Sequence, residues 1–222
     1  MTPVITIDGP SGTGKGTIAG QLAQRLGWHL LDSGALYRAL GLAAQRRGLD
    51  LDTADALAGL ATETKVAFED ERVFLDGEDV SDLIRTEAVG NAASRVAAHG
   101  PVREQLLSWQ RDAARPPGLI AEGRDMGTRV FPEARLKIFL TASAEERAMR
   151  RYKQLIEKGL DVNLREIAAE IGERDQRDTG RSIAPLKEPP GALKVDTTSL
   201  TINEVLDRLS EAVSSVFPVS LG

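Results

Sequence analysis

Most of the fold follows from Val4-Ile5-Thr6-Ile7-Asp8-Gly9-Pro10-Ser11-Gly12-Thr13-Gly14-Lys15-Gly16-Thr17. An apolar, β-branched run leads into a loop that is rich in glycine. After the loop, Ile18, Leu22 and Leu26 recur at helical spacing, and Gly27 stands where a helix would stop. The pattern therefore predicts a strand, a glycine-rich loop and a helix, in that order.

The chemistry of this loop is that of an anion site. Gly9, Gly12, Gly14 and Gly16 let the backbone adopt conformations that are closed to other residues, so the loop amides can point into one concavity at the positive end of the helix. Lys15 adds a charge that can reach the phosphates of a nucleotide. We predict a phosphate-binding loop (P-loop) formed by Gly9, Pro10, Ser11, Gly12, Thr13, Gly14, Lys15, Gly16 and Thr17.

One position departs from the usual P-loop pattern. A Ser or Thr directly after the lysine commonly binds Mg²⁺ through its hydroxyl, but here Gly16 holds that position and Thr17 follows it. A direct bond from Thr17 to magnesium and a contact through water both remain open.

Composition limits the class of protein. The 222 residues are 41% hydrophobic and 27% charged, which is ordinary for a soluble globular protein. No apolar run approaches the ~20 residues of a membrane helix, and the N-terminus leads straight into the first strand with no signal-peptide pattern. A net charge of −5 does not favour a long nucleic acid as a partner, and the absence of cysteine fits a reducing compartment. We expect a cytoplasmic protein.

Further along the chain, predicted strands at residues 28–31, 119–121, 136–140 and 193–196 join the first strand in a five-stranded parallel sheet with flanking helices. Alternating residues around 65–80 predict a small antiparallel sheet in an inserted subdomain. Ser143 to Glu146 and Thr201 to Glu204 predict capping boxes. We therefore expect an α/β protein with a core of residues 1–33, 119–146 and 182–222, an inserted region of residues 34–118, and a helical hairpin of residues 147–181.

Several charged residues follow the predicted core strands. Asp32 could hold a magnesium-bound water or could cap the next helix, and both roles remain open. Glu122 ends the third strand, where a carboxylate helps to hold magnesium in P-loop enzymes. The two histidines, His29 and His99, are expected to be structural.

The predicted hairpin is rich in arginine: Arg147, Arg150, Arg151, Arg174, Arg177 and Arg181. Such a pattern is typical of a solvated helix pair with salt bridges. It is also typical of a lid that closes over phosphates.

Taken together, these motifs resemble the bacterial cytidylate kinases (CMP/dCMP kinases), a family of P-loop nucleoside monophosphate kinases. The resemblance covers essentially the full chain. It rests on residues 7–17, 31–38, 77–81, 84–86, 91–94, 102–104, 123–128, 173–175 and 184–186. The Gly123-Arg124-Asp125-Met126-Gly127 motif distinguishes this family from adenylate and guanylate kinases, and the inserted sheet matches the family's enlarged monophosphate-binding region.

The resemblance implies the P-loop NTPase fold and transfer of the γ-phosphate of ATP to CMP or dCMP, with Mg²⁺. It also implies a monomer. The net charge and the lack of a membrane-length apolar run already indicate that neither a long nucleic acid nor a membrane is a partner. The implied acceptor residues are Ser33, Arg38, Ser94, Arg103, Arg124, Asp125, Asp178 and Arg181. The implied catalytic residues are Lys15, Arg150, Arg174 and Arg181, and Asp32 and Glu122 would contact the metal through water. Family members usually carry Asp where this chain has Glu122.

Rival functions are weaker. A regulatory GTPase needs an Asn-Lys-x-Asp motif and an Asp-x-x-Gly switch, and the chain has neither. A kinase for another small acceptor is disfavoured by Arg124 and Asp125, although UMP as a secondary substrate remains open. A nucleotide-binding protein without catalysis would not need the arginines of the hairpin. The choice between CMP and dCMP also remains open.

Overall fold

The computed structural model describes residues 2–69 and 72–217, in two compact units. The first unit combines the chain up to Leu31, Ala113–Gly180 and the chain from Ala184 onward, and the second combines Asp32–Asp112 with Arg181–Ile183. The parts of the predicted inserted sheet and core that fall on residues 1, 70, 71 and 218–222 lie outside the described residues. No helix in the described ranges is long and apolar enough to cross a membrane.

A five-stranded sheet forms the centre of the first unit. Its strands, in spatial order, are β2 (His29–Asp32), β6 (Leu119–Gly123), β1 (Val4–Asp8), β7 (Leu136–Thr141) and β8 (Leu193–Asp196). Strand β1 pairs in parallel with both β6 and β7, and β7 pairs in parallel with β8. Because every residue of β1 after Val4 is buried, this strand lies in the interior of the unit. The predicted parallel sheet is confirmed.

Helices α1 (Lys15–Leu26) and α8 (Ile202–Val216) pack on this sheet. The same unit contains α6 (Ala144–Glu157) and α7 (Leu164–Gly180), which pack on each other. The apolar stripes of α1 and α8 bury residues against the sheet, among them Ile18, Leu22, Leu206, Leu209 and Val213. Helices α6 and α7 also share a small apolar cluster, which contains Ala148, Leu155, Ile167 and Ile171. The role of this hairpin as a lid stays a prediction.

The predicted helix boundaries agree in part with the structure. Gly27 ends α1 with a φ of 61°, as its position predicts. The Thr201 capping box forms completely, with both reciprocal hydrogen bonds. The predicted box at Ser143 is wrong in one half: Ser143 Oγ accepts from the Glu146 amide, but the Ser143 amide donates to Thr198 Oγ1. The Glu146 carboxylate accepts from Arg150 instead, because an arginine one turn later lies within reach.

The second unit contains α2 (Ser33–Arg46), α3 (Ala54–Glu63), a 3₁₀ turn (Leu83–Arg85), α4 (Glu87–Val96) and α5 (Gly100–Asp112). The predicted small antiparallel sheet is confirmed, with β3 (Val66–Glu69), β4 (Arg72–Leu75) and β5 (Glu78–Asp79) in that order. This unit has its own core, which includes Leu36, Leu40, Leu57, Leu60, Val73, Leu75, Val89 and Val96.

Asp8 ends β1 directly before the P-loop and is completely buried. Its two carboxylate oxygens accept hydrogen bonds from the amides of Met126 and Gly127, each at 2.8 Å. Burial raises the pKa of Asp8 from 3.8 to about 6, although the two amide bonds favour the ionised form. Asp8 therefore attaches the strand before the P-loop to the loop after β6.

We expect Asp8 to make the protein less stable as pH rises from about 4 to about 6. An acid with a higher pKa in the folded state holds its proton more tightly there, so its contribution to stability is present below 3.8 and lost as pH rises through about 6. The loss is about 3 kcal/mol. Urea unfolding of the wild type and of Asp8→Asn across this range measures it. Asp8→Asn should lack this part of the pH dependence, and parallel profiles for the two proteins would contradict the assignment.

Candidate active site

The backbone of the P-loop leaves no room for side chains at two of its glycines. A Cβ at Gly9, where φ is 150°, would overlap the carbonyl oxygen of Leu140 on β7. A Cβ at Gly12, where φ is 78°, would lie 2.9 Å from Cβ of Arg147 on α6. Because real Cβ atoms essentially never come that close, both positions need glycine, and the loop lies directly against β7 and α6.

The loop leads into the N-terminus of α1, where Gly14 occupies the cap position and has no side chain to bond the first amides of the helix. These amides and the helix dipole favour an anion. Ser11 Oγ is buried and has no hydrogen-bond partner within the described residues. An unsatisfied hydroxyl beside free helix amides fits a bound phosphate, which would accept from both.

Lys15 is the first residue of α1, and its side chain turns back over the loop. Its Nζ donates to the carbonyl oxygen of Pro10 at 2.7 Å and lies 3.5 Å from Thr13 Oγ1. Burial lowers the pKa of Lys15 from 10.5 to about 7, and the positive charge of Arg124 acts in the same direction. A phosphate would oppose both effects, so this site favours a polyanion electrostatically.

Glu122 lies on β6, beside β1, and is mostly buried. Its Oε1 is 3.6 Å from the position that a Cβ at Gly16 would occupy. The special backbone conformation expected at Gly16 is wrong: Gly16 lies in the first turn of α1 without a positive φ. The missing side chain at Gly16 leaves space beside the Glu122 carboxylate instead.

A metal at this carboxylate would need other ligands. Among the described residues, no three His, Cys, Asp or Glu side chains form a group that could hold an ion. Mg²⁺ fits such a setting, because it keeps several waters and usually binds one or two carboxylates together with substrate phosphates.

Asp32, the other predicted metal contact, caps α2. Its Oδ1 accepts from the Ala35 amide at 2.8 Å, so the capping role that the sequence left open is present in the structure. A contact from Asp32 to a metal-bound water stays a prediction.

Two of the predicted acceptor residues pair with each other in the first unit. Arg124 Nε donates to Asp178 Oδ2 on α7 at 2.8 Å, and both side chains are largely buried. Burial alone would lower the pKa of Arg124, but the Asp178 carboxylate outweighs it and holds that pKa above its usual value. The neighbouring Asp125 is only 2% exposed, and its backbone carbonyl accepts from Arg129 and Val130 as a π-helical turn begins.

The predicted catalytic arginines of the hairpin have different surroundings. Arg150 donates to Glu146 and, at 3.1 Å and 2.5 Å, to the hydroxyl and carbonyl of Thr197 after β8. Arg174 on α7 is close enough to Lys15 for its charge to lower the Lys15 pKa. The structure thus places the charge of Arg174 near the P-loop lysine, whereas Arg150 is bonded to the loop that follows β8.

The remaining predicted residues lie in the second unit. Ser33 begins α2 and is buried, and Arg38 on α2 donates to the carbonyls of Ile84 and Thr86. Arg103 on α5 donates to the carbonyl of Ala97 and stacks over the ring of Tyr37. Ser94 is buried on α4, and Arg181 belongs to the short segment Arg181–Ile183 of this unit.

The two histidines bond to backbone carbonyls, His29 to Pro116 and His99 to Leu51.

Asp8, Arg147 and Asp175 also belong to the surroundings of the site, although no motif in the sequence points to them as site residues. The signal for Asp8 was a charged residue at the end of an apolar strand, directly before the loop. Arg147 and Asp175 lie in the arginine-rich hairpin, where the helical pattern alone does not show which charges point inward. Their pairing depends on the packing of α6 against α7.

Comparisons with known proteins agree with this geometry. The model of the family described as Cytidylate kinase matches residues 5–215. A cytidylate kinase of Aeromonas salmonicida is 60% identical over 210 residues, covering 93% of this chain and 91% of that protein. A cytidylate kinase of Azotobacter vinelandii is 55% identical over 218 residues, covering 96% and 95%.

Among solved structures, an uncharacterized protein from Eubacterium ventriosum superposes with a TM-score of 0.51 at 11% identity, covering 97% of this chain and 99% of that one, which shows the fold alone. The P-loop, the Gly123-to-Gly127 motif and the family model together span both units of the chain. With relatives this similar over nearly the whole length, the chain belongs to the cytidylate kinase family.

Proposed function

We propose that this kinase transfers the γ-phosphate of ATP to CMP or dCMP, giving ADP and CDP or dCDP. The observation that carries the proposal is the family match over residues 5–215, which includes a P-loop of the required geometry. The buried Arg124 and Asp125 after β6 support a nucleobase-reading role at the loop that the resemblance assigns to CMP.

The donor site is the P-loop. The amides at the start of α1, the Ser11 hydroxyl and Lys15 would hold the phosphates of ATP. Glu122 and Asp32 would contact Mg²⁺ through water, and the ion when bound neutralises charge on the phosphates. The longer side chain of Glu122, compared with the usual Asp of the family, keeps the charge at this position.

The acceptor site would read cytosine by its hydrogen-bonding pattern. The Asp125 carboxylate can accept from the cytosine 4-amino group, with Arg124 and Ser94 toward the ring nitrogen and carbonyl. Uracil would place a carbonyl against that carboxylate, which a site built on polar pairs rejects. Asp178 would bind a sugar hydroxyl, and the CMP phosphate would bind arginine side chains, namely Arg38, Arg103 and Arg181.

The chemistry needs no general base, because a phosphate monoester oxygen is already ionised near pH 7. Catalysis would consist of positioning and charge neutralisation by Lys15, Arg150, Arg174 and Arg181. Closure of the hairpin would exclude water and limit wasteful ATP hydrolysis. We further propose that the protein is a monomer, as the resemblance implies. We also propose that it acts in the cytoplasm, since the lack of cysteine fits a reducing compartment.

The first test offers CMP, dCMP, UMP, AMP and GMP with MgATP in a coupled assay of ADP release. We expect turnover to concentrate on CMP and dCMP. In Asp125→Asn an amide replaces the carboxylate and can donate to the uracil carbonyl, so we expect the ratio of kcat/KM for CMP over UMP to fall by roughly 10-fold or more.

The matched control for this test is Asp207→Asn, which removes the same charge from an exposed position on α8. The control should keep the wild-type ratio. Turnover mainly on AMP or GMP, or none on any monophosphate, would contradict the proposed function. An unchanged CMP-to-UMP ratio in Asp125→Asn would contradict the base-reading role of Asp125 alone.

A second test follows from the pKa of Lys15. Because this pKa is about 7 in the free protein, Lys15 is largely neutral at pH 8, and the phosphates of a bound nucleotide should restore its charge. We expect MgATP binding at pH 8 to take up protons, as measured by calorimetry in two buffers of different ionisation enthalpy. Lys15→Arg, which stays protonated, should lose this uptake; equal uptake in both proteins would assign the protons to another group.

A third test concerns Glu122. If its carboxylate orients waters on Mg²⁺, Glu122→Gln should raise the free Mg²⁺ concentration needed for half-maximal turnover by about 10-fold, since such outer contacts contribute that much to metal affinity. Titration of Mg²⁺ at saturating ATP and CMP measures this shift. Glu133→Gln, an exposed glutamate in the loop before β7, is the control and should titrate like the wild type. Identical Mg²⁺ curves for all three proteins would remove Glu122 from the metal site.

A further inference from the structure

Arg147 on α6 is almost fully buried, and its guanidinium connects three separate elements. Its Nε donates to the carbonyl of Ala142 after β7, and Nη1 donates to the carbonyl of Ser11 in the P-loop at 3.1 Å. On its other side, Nη1 and Nη2 form two hydrogen bonds to the Asp175 carboxylate on α7, at 3.1 Å and 2.6 Å. Such a bidentate pair fixes orientation as well as charge.

The P-loop lies directly against this residue. A Cβ at Gly12 would lie 2.9 Å from Arg147 Cβ and 3.3 Å from the Arg147 carbonyl oxygen, so Gly12 has no space to move toward α6. Ser11 accepts a hydrogen bond from Arg147, and Gly12 packs directly against Arg147. The backbone conformation of these two loop residues therefore depends on the position of Arg147.

Asp175 is next to Arg174 and three residues before Asp178 on α7. Residues three apart lie on the same side of a helix. That side carries two carboxylates that form ion pairs. Asp175 pairs with Arg147, which contacts the P-loop, and Asp178 pairs with Arg124 in the loop after β6. The two pairs hold α7 separately, so loss of the Asp175 pair leaves Asp178 bonded to Arg124.

We propose that Asp175 is a positioning residue: through Arg147 it keeps Ser11 and Gly12 in the shape that binds the ATP phosphates, and it holds α7 so that Arg174 stays near Lys15. The inference rests on the proposed kinase function and deepens it. Asp175 itself touches the P-loop only through Arg147, so its effect is indirect. A buried guanidinium that loses its carboxylate must find another partner, and its movement would carry the Ser11 carbonyl with it.

The test compares Asp175→Asn, Arg147→Lys and the double variant with the wild type in the coupled assay, with ATP and CMP varied separately. Arg147→Lys keeps the buried charge, but one ammonium group cannot make the bidentate pair and also reach the carbonyls of Ser11 and Ala142. The Arg147→Lys variant therefore tests the same contact even if Asp175→Asn folds poorly. The matched control is Glu173→Gln, which removes the carboxylate of an exposed ion pair with Arg177 on the same helix.

We expect each single variant to lower kcat by roughly 10-fold to 100-fold and to raise KM for ATP, because small misplacements of a phosphate site have effects of that size. KM for CMP should stay within about twofold of the wild type, which separates positioning of the donor site from general loss of structure. The double variant should be about as slow as the slower single variant, since both act through one contact. Glu173→Gln should keep wild-type constants.

Three results would overturn the proposal. The first is a lower melting temperature in both single variants with unchanged kcat and KM for ATP, since the pair would then be structural only. The second is a double variant whose loss is the product of the two single losses. The third is a rise confined to KM for CMP. A wild type that is inactive on every monophosphate would instead overturn the proposed function, and this inference with it, so the two failures are distinguishable.

Discussion

Charges that are buried around the P-loop have to be paired, and most of the site follows from this constraint. A buried ion without a partner is costly, because the protein interior screens charge far less than water does. Asp8 meets the constraint with the amides of Met126 and Gly127, Arg124 with Asp178, and Arg147 with Asp175. Each pair joins segments that are distant in the sequence, so the pairs that satisfy the charges also attach β1, the loop after β6, and helices α6 and α7 to one another.

The same constraint leaves the P-loop electrostatically incomplete without a ligand. Burial and the charges of Arg124 and Arg174 lower the pKa of Lys15, although Glu122 and Asp8 partly oppose them. Ser11 Oγ lacks a partner among the described residues, and the first amides of α1 have no side-chain cap. Lys15, the Ser11 hydroxyl and the first amides of α1 are all hydrogen-bond donors at the same loop. A polyphosphate supplies the missing acceptors and negative charge, which explains why such a site binds nucleotides although the whole chain is acidic.

The arginines of the hairpin differ in their surroundings in a way that the helical pattern does not predict. The sequence left open whether its charges form solvated pairs or serve phosphates. The structure contains a surface pair, Arg177 with Glu173, and a largely buried pair, Arg147 with Asp175, in which Arg147 also donates to the Ser11 carbonyl of the P-loop. A phosphate-binding role of the hairpin stays a prediction. Helical periodicity could not separate the two pairs, because the distinction depends on which side of α7 packs on α6. The Ser143 capping box failed for a related reason: local spacing predicted Glu146 as its second member, but Arg150 and Thr198 compete for the same groups.

The sequence by itself determined the P-loop, the five core strands, the inserted antiparallel sheet and the family, since the signal for each is carried by residues close together in the chain. Strand periodicity, glycines at fixed spacing and short motifs are local signals. Only the tertiary structure decided that Asp8 binds the loop after β6, that Gly16 is helical and leaves space for Glu122, and that Arg147 connects Ser11 with Asp175. These contacts join residues up to 136 positions apart. No local pattern specifies such contacts, because they arise from the way the sheet and helices pack and from the need to pair every charge that the packing buries.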